Sequence, residues 1–158
     1  MKRLRLLGVV CLLAAMATAP GSTVPDDPSN GSIQGRFVGA WRLVSLEELD
    51  AQGKIHQADC IGLLVYTRDG HMSVQVMYRN PEGGDSSPPV QYAQAGYEAS
   101  FGTYRIDDSH AFTFHVEGAL VRTLVGKDLK RLYELSGNQL IVNSSDRNEH
   151  WRVVWEHY

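Results

Sequence analysis

The chain has 158 residues, 43% of them hydrophobic, with 15 Lys and Arg against 18 Asp and Glu. That length suits one domain. A formal charge of −3 makes nucleic acid a poor partner, because phosphate binding needs concentrated positive charge.

The N-terminus reads as an export signal. Lys2, Arg3 and Arg5 form a basic region, and Leu6 to Ala17 is an uncharged apolar run. Ala15-Met16-Ala17 fits a small-x-small cleavage pattern. Ala17-Thr18-Ala19 fits it too, but there Pro20 would be the first mature residue. The run is too short to span a bilayer comfortably. We therefore expect a signal peptide over 1–19, cleaved at about 17–21, and a periplasmic or extracellular protein with no stable membrane span. Loss of the three basic residues takes the net charge to about −6. Cys11 leaves with the signal, so Cys60 remains alone and no internal disulfide forms. Stability must come from the core, which a domain of roughly 130 residues can supply.

Residues 20–35 are rich in Pro, Gly, Ser, Asp and Asn and lack an apolar period, which predicts a flexible leader. The domain is expected over 36–158. From Phe37 the texture changes to short β runs divided by turn signals. Phe37–Leu46 reads as a strand, Asp50–Gly53 as a turn and Ile61–Tyr66 as a strand. Asp69-Gly70 is a hairpin signal, since both residues tolerate positive φ. His71–Tyr78 alternates, with Met72, Val74 and Val76 on one face and Ser73 and Gln75 on the other.

Asn80–Pro89 carries three prolines and two glycines and reads as a loop. Val90–Ser100, with Tyr92 and Tyr97 but no alternation, reads as one short helix near a barrel mouth. Strands are then expected at Phe101–Ile106, Ala111–Glu117, Leu120–Val125, Leu129–Leu135, Gln139–Asn143 and His150–Glu156. Trp151, Val153 and Trp155 share a face of the last. Eight to ten closely spaced strands without a crossover helix predict an all-β antiparallel up-and-down barrel. Such a barrel has no open edge and room for one small ligand.

Gly39-Ala40-Trp41 resembles the Gly-x-Trp signature of lipocalins. Trp41–Ser45, Leu64–Gln75, Phe101–Tyr104, His115–Gly118, Gly126–Arg131, Leu135–Gly137 and Val154–Glu156 resemble the bacterial and fungal lipocalin-like domain family. The resemblance runs from about Phe37 to the C-terminus. It implies a lipocalin-like β-barrel, with Trp41 across the base against an arginine, Arg131 or Arg152, through a cation–π contact. Arg122-Thr123-Leu124 departs from the family pattern at the rim.

Function then turns on strand parity, because side chains alternate faces with period two. One parity sends Met72, Val74, Val76, Phe112, Phe114, Val116, Leu140 and Val142 inward and makes a carrier for a small hydrophobic molecule, or a filled core serving structure or interaction. The other sends Ser73, Gln75, His115, Glu117 and Arg131 inward. That arrangement would suit a small isomerase or cyclase acting by proton transfer. His115 would be the acid or base with a pKa raised by Glu117, Arg131 would hold an enolate or carboxylate oxygen, and Tyr104 would be a proton donor. The candidate ligand-binding residues are Trp41, Tyr66, Met72, Gln75, Tyr104, His115, Arg131 and Tyr133. The catalytic set under the second reading is His115, Glu117 and Arg131.

No cofactor is implied. His56 and Asp59 near Cys60 supply too few ligands at zinc-like spacing, and Asp107-Asp108 is a turn. No nucleophile elbow, phosphate loop or dinucleotide fingerprint occurs. Asn30-Gly31-Ser32 and Asn143-Ser144-Ser145 have the form of glycosylation sequons.

Overall fold

A computed structural model describes residues 28–50, 52–80 and 92–158, with side chains from residue 33 onward. The expected signal segment and most of the loop expected over Asn80–Pro89 lie outside the described residues. One helix, α1 (Pro28–Phe37), precedes nine strands. These are β1 (Gly39–Leu49), β2 (Ile55–Gln57), β3 (Cys60–Tyr66), β4 (His71–Tyr78), β5 (Tyr97–Ile106), β6 (Ala111–Ala119), β7 (Asp128–Ser136), β8 (Gln139–Ser144) and β9 (Arg152–His157).

Every pairing is antiparallel. Neighbours follow chain order from β3 to β9, and β1 pairs with both β3 and β9. Eight strands thus close on themselves, and β2 adds a short flap to the end of β1. The hairpins explain the order. Gly70 turns β3 into β4 at φ +87°, a conformation open to glycine at little cost. At Gly102 a Cβ would lie 2.0 Å from the carbonyl oxygen of His115, so β5 and β6 approach this closely only over glycine.

Side chains alternate across the wall. Met72 and Val76 on β4, Phe112, Phe114 and Val116 on β6, and Leu140 and Val142 on β8 are all buried. The first parity is therefore the real one. The two bulges matter here. β1 slips register between Leu43 and Ser45 opposite β9. Trp41 is buried before the slip, while Leu46 and Glu48 are buried after it. An extra residue in a strand reverses which face its later side chains take. A second irregularity lies at Phe101/Gly102, opposite Val116 to Gly118.

One end of the barrel is packed shut. Phe37, fully buried, sits among Tyr66, Phe112 and Tyr133 at ring separations of 5.0, 5.6 and 4.9 Å. The Trp41 indole donates its N–H to the Phe37 carbonyl at 2.8 Å. Tyr104 and Tyr133 donate their hydroxyls to the backbone oxygens of Thr67 and Asp108.

Several expectations need correcting. Pro28–Phe37 is helical, where an aperiodic leader to residue 35 was expected. Propensity does not explain this helix, which holds two glycines. Ile33 and Phe37, four residues apart on one face, are held by the barrel base, and Gln34 donates to the Arg68 carbonyl. Of the helix expected over 90–100, the described residues 92–100 show none. Gln94 and Tyr97 form an isolated bridge, and β5 begins at Tyr97, because pairing with β4 overrides the weak local preference. Leu120–Val125 is not a strand, since Arg122–Leu124 forms a 3-10 turn. Strand β2 was not foreseen. Trp41 does not stack on Arg131 or Arg152: its ring meets His157 edge-on at 4.8 Å.

Truncating Phe37 removes the plug of the closed end. Phe37→Ala is expected to destabilise the domain by about 3–5 kcal/mol, read as a lower urea midpoint at unchanged slope.

Candidate functional site

Above the aromatic floor the barrel encloses a cavity of about 100 Å³. Its wall is largely apolar: Leu64, Met72, Val74, Val76, Phe112 and Phe114 lie on one side. Leu46, Leu129, Val142, Val153 and Trp155 complete it. Each is an inward residue of its strand.

The polar lining gathers towards the end away from Phe37. Glu48 comes from β1, Tyr78 from β4, Glu98 and Ser100 from β5, and Arg131 from β7. Tyr92, His150 and Trp151 complete the rim, and His150 is exposed. The Arg131 guanidinium lies over two rings, 4.9 Å from Tyr92 and 5.0 Å from Trp151. This is a double cation–π seat for a fixed positive charge. Glu149 braces it: Tyr92 Oη, Ser144 Oγ and Trp151 Nε1 donate to its carboxylate at 2.8, 2.7 and 3.1 Å. Burial would raise the Glu149 pKa, but these donors and nearby Arg131 hold it below its ordinary value. The Tyr92 hydroxyl is pushed up to about 12, chiefly by burial.

Two carboxyls face the cavity. Glu48 is buried and accepts the Tyr78 hydroxyl at 2.9 Å, with His56 Nε2 at 3.7 Å. Burial raises its pKa against the pull of both partners. Glu98, half-buried on β5, is raised to about 7 by burial, with Arg131 lowering it and Glu48 raising it. Among the described residues Glu98 has neither a hydrogen-bond donor nor an ion-pair partner. Cys60, at the edge of this group, has its thiol pushed up to about 11 by burial and by Glu48. It is a poor nucleophile there.

At the other end of the cavity Tyr66 contributes a hydroxyl. It is buried and finds no hydrogen-bond partner among the described residues. Burial raises its pKa far above the ordinary tyrosine value.

The sequence candidates divide by face. Tyr66, Met72 and Arg131 line the cavity. Trp41, Tyr104 and Tyr133 are buried in the floor and are not part of the lining. Gln75, His115 and Glu117 are corrections: all three are exposed on the outer face. His115 meets Asp128 there, at 2.7 Å between Nδ1 and Oδ1, rather than Glu117. With two of its three members outside, the proton-transfer set of His115, Glu117 and Arg131 does not assemble.

Glu48, Glu98 and the Tyr92–Trp151–Glu149 frame were not foreseen. Glu98 follows from counting back by twos from Tyr104 through Gly102 and Ser100, a step hidden by reading 90–100 as helix. Glu48 lies on the inner face only because of the β1 bulge. Among the described residues no group of three His, Cys, Asp or Glu could hold a metal ion, and no helix is long and apolar enough to cross a membrane.

Comparison with known proteins places the chain. The model of the lipocalin-like domain family matches residues 38–157. No curated protein matches. Among solved structures, an uncharacterized protein from Bacteroides eggerthii aligns at 14% identity and TM-score 0.45, covering 77% of this chain and 99% of that one. A redesigned β-barrel aligns at 8% identity and TM-score 0.42, covering 79% and 94%. A variant of the fluorescent protein UnaG aligns at 10% identity and TM-score 0.40, covering 78% and 97%.

Two predictions follow from this placement of side chains. His115→Ala and Glu117→Ala, both on the outer face, are expected to change stability by less than about 0.5 kcal/mol in chemical denaturation. Glu98 gives stability a pH dependence of definite sign. Between its ordinary value of 4.5 and about 7, the native state keeps a proton that the unfolded chain has released. Stability should therefore fall as pH rises through that window, and Glu98→Gln should flatten the fall, by on the order of 2 kcal/mol at pH 8. A denaturation series from pH 4 to 8 reads both.

With 120 residues of continuous match laid over a closed antiparallel barrel, the chain belongs to the lipocalin-like domain family.

Proposed function

We propose that this protein is an exported carrier that binds one small, mostly hydrophobic molecule inside its barrel, without covalent chemistry. The observation that supports this reading is the cavity itself: about 100 Å³ of space, walled by aliphatic and aromatic side chains inside a closed sheet. A core filled for structure alone would place methyl groups there, because interiors are close-packed and voids cost stability. An eight-stranded barrel has interior room for one small ligand. The concentration of polar groups at one end gives an apolar molecule a preferred orientation.

The export part of the proposal rests on Lys2 to Ala19, with its basic start, apolar run and small residues. It fits a domain with a single cysteine, which needs no disulfide in an oxidising compartment.

Binding has a built-in reporter, since Trp151 and Trp155 both line the cavity. Protein purified from its source and sprayed under native conditions is expected to carry a retained small molecule of one mass. Val74 points into the cavity, and Val74→Trp is expected to fill it. Binding of that molecule should then weaken by at least about tenfold, measured by tryptophan quenching. Unchanged affinity in a folded Val74→Trp protein would place the site elsewhere. N-terminal sequencing of the secreted or periplasmic protein is expected to show a first residue shortly after Ala17. An intact Met1 in the cytoplasm would refute export.

A further inference from the structure

The charges inside the cavity do not balance. Glu48 and Glu98 both face it, whereas Arg131 is the one basic side chain of its described lining apart from the exposed His150. Arg131 is occupied. It is seated on Tyr92 and Trp151, and its charge also holds down the pKa of Glu149. Glu48 has Tyr78 and His56. Glu98 feels the charge of Arg131 but forms no ion pair with it and has no hydrogen-bond donor among the described residues. A carboxyl in an apolar wall without a partner is costly when ionised.

A second orphan lies opposite. The Tyr66 hydroxyl is buried without a hydrogen-bond partner among the described residues. Tyr66 pairs with Met72 across β3 and β4, and Glu98 pairs with Val76 across β4 and β5. Their backbone positions are therefore offset by four positions of β4, about 13 Å along the strand at roughly 3.3 Å per residue. The cavity has an unmet acceptor towards one end, an unmet hydroxyl towards the other, and apolar wall between.

Building on the carrier reading above, we infer that the occupant is a protonated amine with an apolar body. Its ammonium lies against Glu98, and its far end carries a hydrogen-bond acceptor for the Tyr66 hydroxyl. The ammonium supplies both charge and donors, whereas Ser100 is neutral and Arg131, seated on Tyr92 and Trp151, makes no ion pair with Glu98. An anionic ligand would instead share the space with two carboxyls, Glu98 and Glu48, against the single guanidinium of the described lining, Arg131.

The groups facing Glu98 are Glu48 on β1, Cys60 on β3, Tyr78 on β4 and Arg131 on β7. Of these only the carboxyls change charge in the range of interest, since burial pushes the Cys60 thiol and the Tyr78 hydroxyl upward. Glu98 itself lies at about 7 without a ligand. An ammonium beside it favours the ionised form. Binding an amine at pH 7 should thus release about half a proton, and affinity should fall as pH drops below 7.

The test uses the mature protein and three probes sharing one chain: hexylamine, 1-hexanol and hexanoate. Calorimetry at pH 8 is expected to show hexylamine binding at least about tenfold tighter than hexanoate. Glu98→Gln should erase that preference while changing hexanol affinity less than about twofold. Titrations of hexylamine at pH 7 in two buffers of different ionisation enthalpy should report the released proton. For the far end, 6-methoxyhexylamine should bind tighter than hexylamine, and Tyr66→Phe should remove that gain alone. Hexanoate binding tightest, or an amine preference that survives Glu98→Gln, would overturn the inference while leaving a hydrophobic carrier intact. If hexanol and both charged probes all fail to quench Trp151 and Trp155, the carrier reading falls as well.

Discussion

The pairing of β1 with β9 is the constraint on which the rest of this molecule depends. It joins the first and last strands of the sheet, from Trp41 opposite His157 to Glu47 opposite Arg152. An open sheet would leave two faces and two edges to be covered. Closure removes the edges and turns one face into an enclosed interior. Each strand then has one row of side chains facing its counterparts across the lumen. Burial of Trp41, Tyr66, Phe112, Val116 and Leu140, each at most 2% exposed, follows from that geometry.

Within this frame the two ends of the barrel differ in chemistry. The floor is aromatic, with Phe37 delivered by α1 among Tyr66, Tyr104 and Tyr133, and the hydroxyls of Tyr104 and Tyr133 reach backbone oxygens at its margin. The mouth is polar and braced. Glu149 is not itself part of the cavity lining, yet it collects donors from Ser144 and from Tyr92 and Trp151, the aromatic pair that carries Arg131. Low local polarity strengthens such a network and makes each group outside it expensive. Glu98 and the Tyr66 hydroxyl are the groups outside it. They give the cavity a polarity along its length that its hydrophobic wall alone would lack.

The β1 bulge shows how a small local feature changes which side chains line the cavity. Without the slip at Leu43 to Ser45, the period that buries Trp41 would turn Glu47 inward and leave Glu48 on the outer wall. Instead Leu46 and Glu48 reach the interior, and Glu48 meets Tyr78. The outer wall receives His115, Glu117 and Gln75, which are hydrated and cost little there.

Much of the fold was legible in the chain by itself. Alternation at Met72-Val74-Val76, Phe112-Phe114-Val116 and Trp151-Val153-Trp155 identifies strands, and Asp69-Gly70 places the turn before the first of them, because period two and positive φ are local requirements. Those rows, with Tyr66 and Arg131, already contain much of the cavity wall. The candidate site was less legible. Which parity faced inward, where β1 broke its alternation, and that 97–100 extends β5 rather than a helix all depend on pairing between strands distant in sequence. The environment of Glu98 depends on it too, since a carboxyl acquires its pKa from burial and from neighbours on other strands. Local sequence chose the strands; only barrel closure decided which of their side chains would meet.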